Sequence, residues 1–162
     1  MVVDNSIKLT RHDPFDFVVR LFRAQGSIAR RLDQAIGPVH GISFNELLVL
    51  AHLERAPGGK LRRVDLAERL GITASGVTRA LAPMERLELV RREPDPRDGR
   101  IGYAVLTTVG RQRLAAARYG AEEVCRAVLA SAPGGDKGLG EFAQLLVRLG
   151  GRGLSDWIAP TQ

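Results

Sequence analysis

Cysteine is nearly absent. Cys125 is the only one in 162 residues, which excludes an intramolecular disulfide framework, suits a reducing compartment and leaves an intersubunit bridge open. No apolar run approaches the roughly 18 to 20 residues of a membrane-spanning helix. The N-terminus also lacks a basic segment followed by an apolar one, so the expected location is cytoplasmic, with no membrane association. Aromatic residues make up only 5%, so the core must be built from Leu, Val, Ile and Ala on helices. Lysine occurs only at positions 8, 60 and 137. No nucleophile elbow, phosphate-binding glycine loop followed by Lys, zinc-protease helix or dinucleotide fingerprint is found, and the expectation is a non-enzyme without a cofactor. His12, His40 and His52 are too widely spaced for a local metal motif.

What the chain does have is arginine. It supplies nearly all the positive charge in a balance of +6, and its planar fork of donors suits phosphate and guanine. Apolar residues reach 44%, and the length predicts one domain over residues 1–162.

Phe15, Val18, Leu21, Phe22, Ala29, Leu32 and Ile36 form one apolar stripe on a long helix ended by Gly37 and Pro38. Ser43 and Glu46 make a capping box for a second helix, which Pro57, Gly58 and Gly59 close. A short helix from Arg62 to Leu70 stops at Gly71, where a left-handed cap is expected. Thr73 starts a fourth helix, with Val77, Ala80, Leu81, Met84 and Leu87 on its inner side and Ser75, Arg79, Ala82 and Arg86 on the other. Pro83 predicts a kink or break near Leu81 and Ala82. Leu89–Glu93 and Arg100–Leu106 flank the turn residues 94–99 as a β-hairpin. After a Thr107 or Thr108 cap, Leu114, Ala117, Ala121, Val124, Cys125 and Val128 form a fifth stripe, which places Cys125 in the packing. Leu139, Phe142, Leu146 and Leu149 form a last one, followed by glycines at 150–153 that predict a bend.

Two helices joined by a tight turn at Gly71 and Ile72, the second with a polar outer face, have the spacing of a helix-turn-helix. The hairpin that follows carries Arg97 and Arg100 at its tip and Arg91 and Arg92 at its base, as a wing would. Arg79 is the candidate base reader, since a bidentate Arg–guanine pair discriminates by about 1–3 kcal/mol. Asp98, two residues before Arg100, is expected to brace the wing by pairing with that arginine or accepting backbone donors. The architecture so predicted is mostly α with a small β-wing.

The run Leu66-Ala67-Glu68-Arg69-Leu70-Gly71-Ile72-Thr73, then Val77-Thr78-Arg79, Leu87 to Arg92, Asp95 to Arg100, Leu106-Thr107 and Gly110 resembles the MarR family of transcription regulators. The resemblance covers roughly residues 14–158. It implies a homodimer, with dimerisation helices at 14–40 and 108–158 around a winged helix-turn-helix lobe at 43–107 whose wing spans 89–107. It further implies that Thr73, Ser75, Gly76, Thr78 and Arg79 face the major groove of double-stranded DNA, with Arg97 and Arg100 on the wing and Arg100 in the minor groove. The partner implied is a pseudo-palindromic operator, and the role a ligand-responsive repressor. A small aromatic or phenolic effector is implied between the first, second and fifth helices, with Phe22, His52 and Arg118 as candidates. Two alternatives stay open: a winged-helix module that docks proteins without reading DNA, and a redox- or metal-responsive regulator.

Overall fold

The computed structural model describes residues 13–98, 101–131 and 138–150. Helix α1 (Pro14–His40) starts where the Asp13 carboxylate accepts from the Phe15 amide at 2.9 Å. It does not stop at Gly37 and Pro38. It runs on to His40 and is capped by Gly41, whose left-handed φ of 65° lets its amide reach the Gly37 carbonyl at 2.8 Å. Pro38 removes one backbone donor, but the turn is held by fully buried Ile36 below it and by the Gly41 cap after it.

Helix α2 (Phe44–Arg55) opens with the expected capping box: Ser43 Oγ accepts from the Glu46 amide, and Glu46 Oε2 accepts from the Ser43 amide at 2.7 Å. A single 3₁₀ turn (Pro57–Gly59) leads into β1 (Lys60–Arg62). This strand is absent from the sequence reading, because three residues are too few to show an alternating period. Helix α3 (Arg63–Leu70), helix α4 (Ala74–Arg86), β2 (Val90–Pro94) and β3 (Gly102–Leu106) complete the lobe. The sheet order is β1-β3-β2, antiparallel throughout, with Leu61 opposite Ala104 and Arg92 opposite the same residue on the other side. Thr107 caps α5 (Thr108–Ala130), and α6 (Leu139–Gly150) follows.

Leu32 and Ile36 of α1, Leu50 and Leu53 of α2, Leu66 of α3, Val77, Leu81 and Met84 of α4, Leu89 in the bend before β2, and Leu114 of α5 form one core. Each such side chain contributes about 1.5–3 kcal/mol of burial. Helix α4 is continuous through Pro83, so the predicted break is not there. Val77, Leu81 and Met84 lie on both sides of the proline and are locked into the core, which holds the helix together across one missing hydrogen bond.

Several side chains placed in the packing by periodicity are exposed instead. Leu87 is 52% exposed because it follows the last turn of α4, where the chain bends away. Cys125 is exposed because the buried face of α5 ends at Ala121. Phe22 is 71% exposed, and Phe15 likewise, because the core meets α1 only from Ile28 onward. None of α6 is buried. Among the described residues no helix is long and apolar enough to cross a membrane.

Candidate nucleic-acid interface

The α3–α4 corner is built by its turn residues. Gly71 takes φ 64° and closes α3, with Ile72 N–H bonded to Ala67 O at 3.0 Å and Gly71 N–H to Glu68 O at 3.2 Å. The pair satisfies carbonyls that the helix end leaves open. Thr73 then caps α4: its hydroxyl oxygen accepts from the Gly76 amide at 3.1 Å and lies 3.0 Å from the Ser75 hydroxyl. A Cβ on Gly76 would sit 3.3 Å from that same Thr73 oxygen, which gives the glycine a reason within the cap itself. Thr78 Oγ1 donates back to the Ala74 carbonyl at 3.1 Å, leaving its oxygen lone pairs outward.

Thr73, Ser75, Gly76, Thr78 and Arg79 are therefore brought together on the first two turns of α4, all exposed except half-buried Gly76. The Arg79 guanidinium makes no hydrogen bond or ion pair among the described residues. An unpaired, exposed guanidinium on a helix face retains all five donors for a partner outside the chain.

The wing packs on α4 through β2. Its turn is held by Asp95, which the sequence pattern did not single out. One Asp95 oxygen accepts from the amides of Arg97 at 2.8 Å and Asp98 at 3.3 Å, and the other accepts from the Tyr103 hydroxyl at 3.0 Å. These bonds, the Arg97 amide first and the Tyr103 hydroxyl second, hold the Asp95 carboxyl below the usual carboxylate range. The Asp-Pro dipeptide at 95–96 is a local turn signal that could have identified it. Asp98 contributes its carbonyl to the turn, accepting from Ile101 N–H at 2.9 Å.

Behind the tip, Lys60 of β1 bridges to Glu93 of β2 at 3.3 Å and lies 5.1 Å from the Tyr103 ring centre, while Arg91 reaches Glu93 at 2.9 Å. Lys60 first and Arg91 second keep the Glu93 carboxyl below its ordinary range. Arg97 stands exposed in the turn; Arg100 lies outside the described residues.

The three effector candidates stand in different settings. Phe22 projects from α1, and Arg118 of α5 pairs with Glu54 of α2 at 3.2 Å. His52 of α2 is buried and lines a cavity between α2, α3 and α4 that neither of the others touches.

Comparison with known proteins agrees with this geometry. A sequence model described as the MarR family matches residues 40–101. YxaD, an uncharacterized HTH-type transcriptional regulator of Bacillus subtilis strain 168, is 30% identical over 112 residues, 69% of this chain and 71% of its own. Sco3205, a MarR family transcriptional regulator of Streptomyces coelicolor solved in complex with DNA, superposes with a TM-score of 0.72. It has 26% identity and is similar over 89% of this chain and 92% of its own. The M. tuberculosis transcriptional regulator MOSR, also solved with DNA, gives a TM-score of 0.70 at 26% identity over 82% and 92% of the two chains. Members of the matched family regulate transcription and are not enzymes. The winged corner of α3, α4 and the hairpin, matched in both sequence and fold, makes this chain a transcriptional regulator of the MarR family.

Proposed function

We propose that the chain acts in the cytoplasm as a homodimeric, ligand-responsive repressor that binds a pseudo-palindromic operator in double-stranded DNA. The observation that carries the reading is the exposed Arg79, without a partner among the described residues, beside Ser75 and Thr78 on a helix whose N-cap is in place. Such a face is available to base edges, and arginine–guanine pairing is the commonest specific contact in the major groove. Thr73 and Gly76 shape the entry to that face, Arg97 and Arg100 supply cations from the wing, and Asp98 works with Asp95 in holding the turn.

The whole of residues 1–162 functions as one unit, with 43–107 as the reading lobe and 14–40 and 108–158 as the dimer base. Support for the base comes from its apolar exposure: Phe15, Val18 and Phe22 on α1 and Phe142, Leu145 and Leu149 on α6 face away from the protomer's own core. A second copy offers the same surface, and self-complementary twofold contact is the commonest way such faces are buried. Two copies then set two α4 helices about one helical turn of DNA apart.

Selection of duplexes from a random pool by gel shift, repeated across a salt series, tests the proposal. A palindromic winner is expected, with log affinity falling linearly in log salt as phosphate counterions are released. Binding without a winner, or no binding, refutes operator recognition.

A further inference from the structure

The sheet turns one face to the core. Leu61, Ala104 and Arg92 stand side by side on that face across β1, β3 and β2, the first two buried and Arg92 exposed. Gly102 lies two residues nearer the wing turn on the same face, by the alternation of a strand. A Cβ there would lie 3.5 Å from Arg63 Cδ and 3.6 Å from Arg92 Nε, so two arginine side chains converge over the one position of β3 that has no side chain. Like charges so placed repel, and among the described residues the one carboxylate within ion-pair distance of either is Glu85 of α4, 3.5 Å from Arg63 Nη2. Arg92 makes no hydrogen bond or ion pair among the described residues. Arg63 Nε is buried without an acceptor, the one side-chain atom of its kind among them, and such a donor calls for a reason. The start of α3 adds to the deficit: its N-cap, Arg62, makes no side-chain cap bond, whereas those of α1, α2, α4 and α5 do. Donors gather around Gly102, and acceptors are short.

We infer that Arg63, Arg92 and the open space over Gly102 form a seat for one phosphodiester group of the DNA backbone, and that Arg63 exchanges Glu85 for this phosphate when a duplex binds. A phosphate supplies what the corner lacks, a negative charge with several acceptor oxygens, and a guanidinium meets two of them at once. Turning outward to do so also releases the Arg63 Nε donor from its burial without an acceptor. Gly102 keeps the approach clear, because any side chain there would fill the space between the two guanidinium stems. Arg63 opens the helix that leads into the α4 corner, and Gly102 opens the strand that follows the wing turn. The seat therefore ties the backbone between the helix-turn-helix and the wing. It carries no base preference, since phosphate contacts fix register and not sequence. This role rests on the proposed duplex binding, whereas the anion seat itself does not.

The test uses the full chain in its native oligomeric state, with duplex affinity measured across a salt series on a selected and a random sequence. Arg63→Gln and Arg92→Gln should each weaken both duplexes by the same factor, about tenfold, and lower the salt slope by about one phosphate per protomer. Arg63→Lys, which keeps the charge, should restore the slope. Gly102→Val removes no charge but fills the space between the arginines, and it should lower the slope as the glutamine variants do. Glu85→Gln frees Arg63 from its competitor and should tighten both duplexes severalfold; a purely structural Arg63–Glu85 tie would give unchanged or weaker binding. In a second arm, the Nε–H resonances of Arg63 and Arg92 are followed by NMR while inorganic phosphate is added, with chloride at matched ionic strength as the control. Phosphate should shift both in a saturable way, and the Arg63 shift should be lost in Gly102→Val. Wild-type salt slopes in Arg92→Gln and Gly102→Val overturn the DNA role even if Arg63→Gln does not fold. Altered base preference in place of uniform weakening overturns it too, and equal shifts with phosphate and chloride overturn the seat. A chain that binds no duplex at all fails the earlier proposal, and the resonance titration still decides whether the anion seat exists.

Discussion

Gly110 occupies the first turn of α5, directly over the bend between α4 and β2. A Cβ there would overlap the Leu89 carbonyl oxygen and lie 2.9 Å from Leu106 Cδ1. The close approach is fixed by Thr107, whose hydroxyl donates to the Glu88 carbonyl at 2.6 Å and accepts from the Gly110 amide at 2.9 Å. Because the obstruction is backbone, Gly110→Ala forces α5 off the bend, and it should lower stability by about 2–3 kcal/mol. The urea midpoint reads the effect; an unchanged midpoint means that α5 slides freely over the bend. Glu88 shares the strain of this bend, holding φ 56° without being glycine. The sequence pattern marked Gly110 as part of a family motif, but its physical reason depends on contacts some twenty residues away and was not legible there. At the proposed DNA face the matching residue test is Arg79→Lys, which keeps the charge and loses the fork. It should cost about 1–3 kcal/mol of discrimination at one base pair per half-site, with the salt slope unchanged. Retained base preference in a binding selection would remove Arg79 from the role of reader.

Among the elements, the helices were legible wherever a local signal set their ends. Ser43 with Glu46, Gly71, Thr73 and Thr107 all start or stop helices as the sequence pattern predicts. Prolines misled: Pro38 and Pro83 both sit inside continuous helices, because tertiary burial of Ile36 and of Leu81 and Met84 outweighs one lost hydrogen bond. The brace of the wing was legible only in part, for a related reason. Asp95 and Asp98 are equivalent as composition, and only the folded turn, with Tyr103 folded back onto Asp95, separates them. The wing also carries a pH dependence of definite sign. Asp95 and Glu93 both titrate lower in the folded wing than in an open one, Asp95 through the Arg97 amide and the Tyr103 hydroxyl, Glu93 through Lys60. Their stabilisation is therefore fully present above the ordinary carboxylate range and is lost as the pH falls through the lowered folded values. Amide exchange of Arg97, Asp98 and Ile101 should show protection at neutral pH that declines on acidification before the core helices open. Asp95→Asn should flatten that decline, and equal acid sensitivity in the variant would discharge Asp95 from the role.

For the molecule as a whole, the apolar stripe on α1 was read from its spacing without any indication of which part faces its own chain. The structure divides it at Ile28: Leu32 and Ile36 enter the protomer core, while Phe15 and Phe22 stand 76% and 71% exposed. Two large aromatics so exposed on one helix, with Val18 beside them and Phe142 and Leu149 on α6, exceed what scattered surface hydrophobes require. Periodicity reports that a face is apolar, and it cannot report whether the cover is supplied in cis or by a twin. Under the dimer proposal, Phe15→Glu combined with Phe22→Glu places two charges against their own images across the twofold axis while leaving the protomer core untouched. Sedimentation should then show a monomer with native circular dichroism, because Leu32, Ile36, Leu114 and Ala117 still pack α1 on α5. Operator affinity should fall by about 10² to 10⁴, since a single lobe forfeits the effective concentration that a linked second lobe supplies. A half-site should be bound equally by both proteins at high concentration. A double variant that sediments as a dimer and keeps its operator affinity would mean that α1 is covered by something other than a second copy.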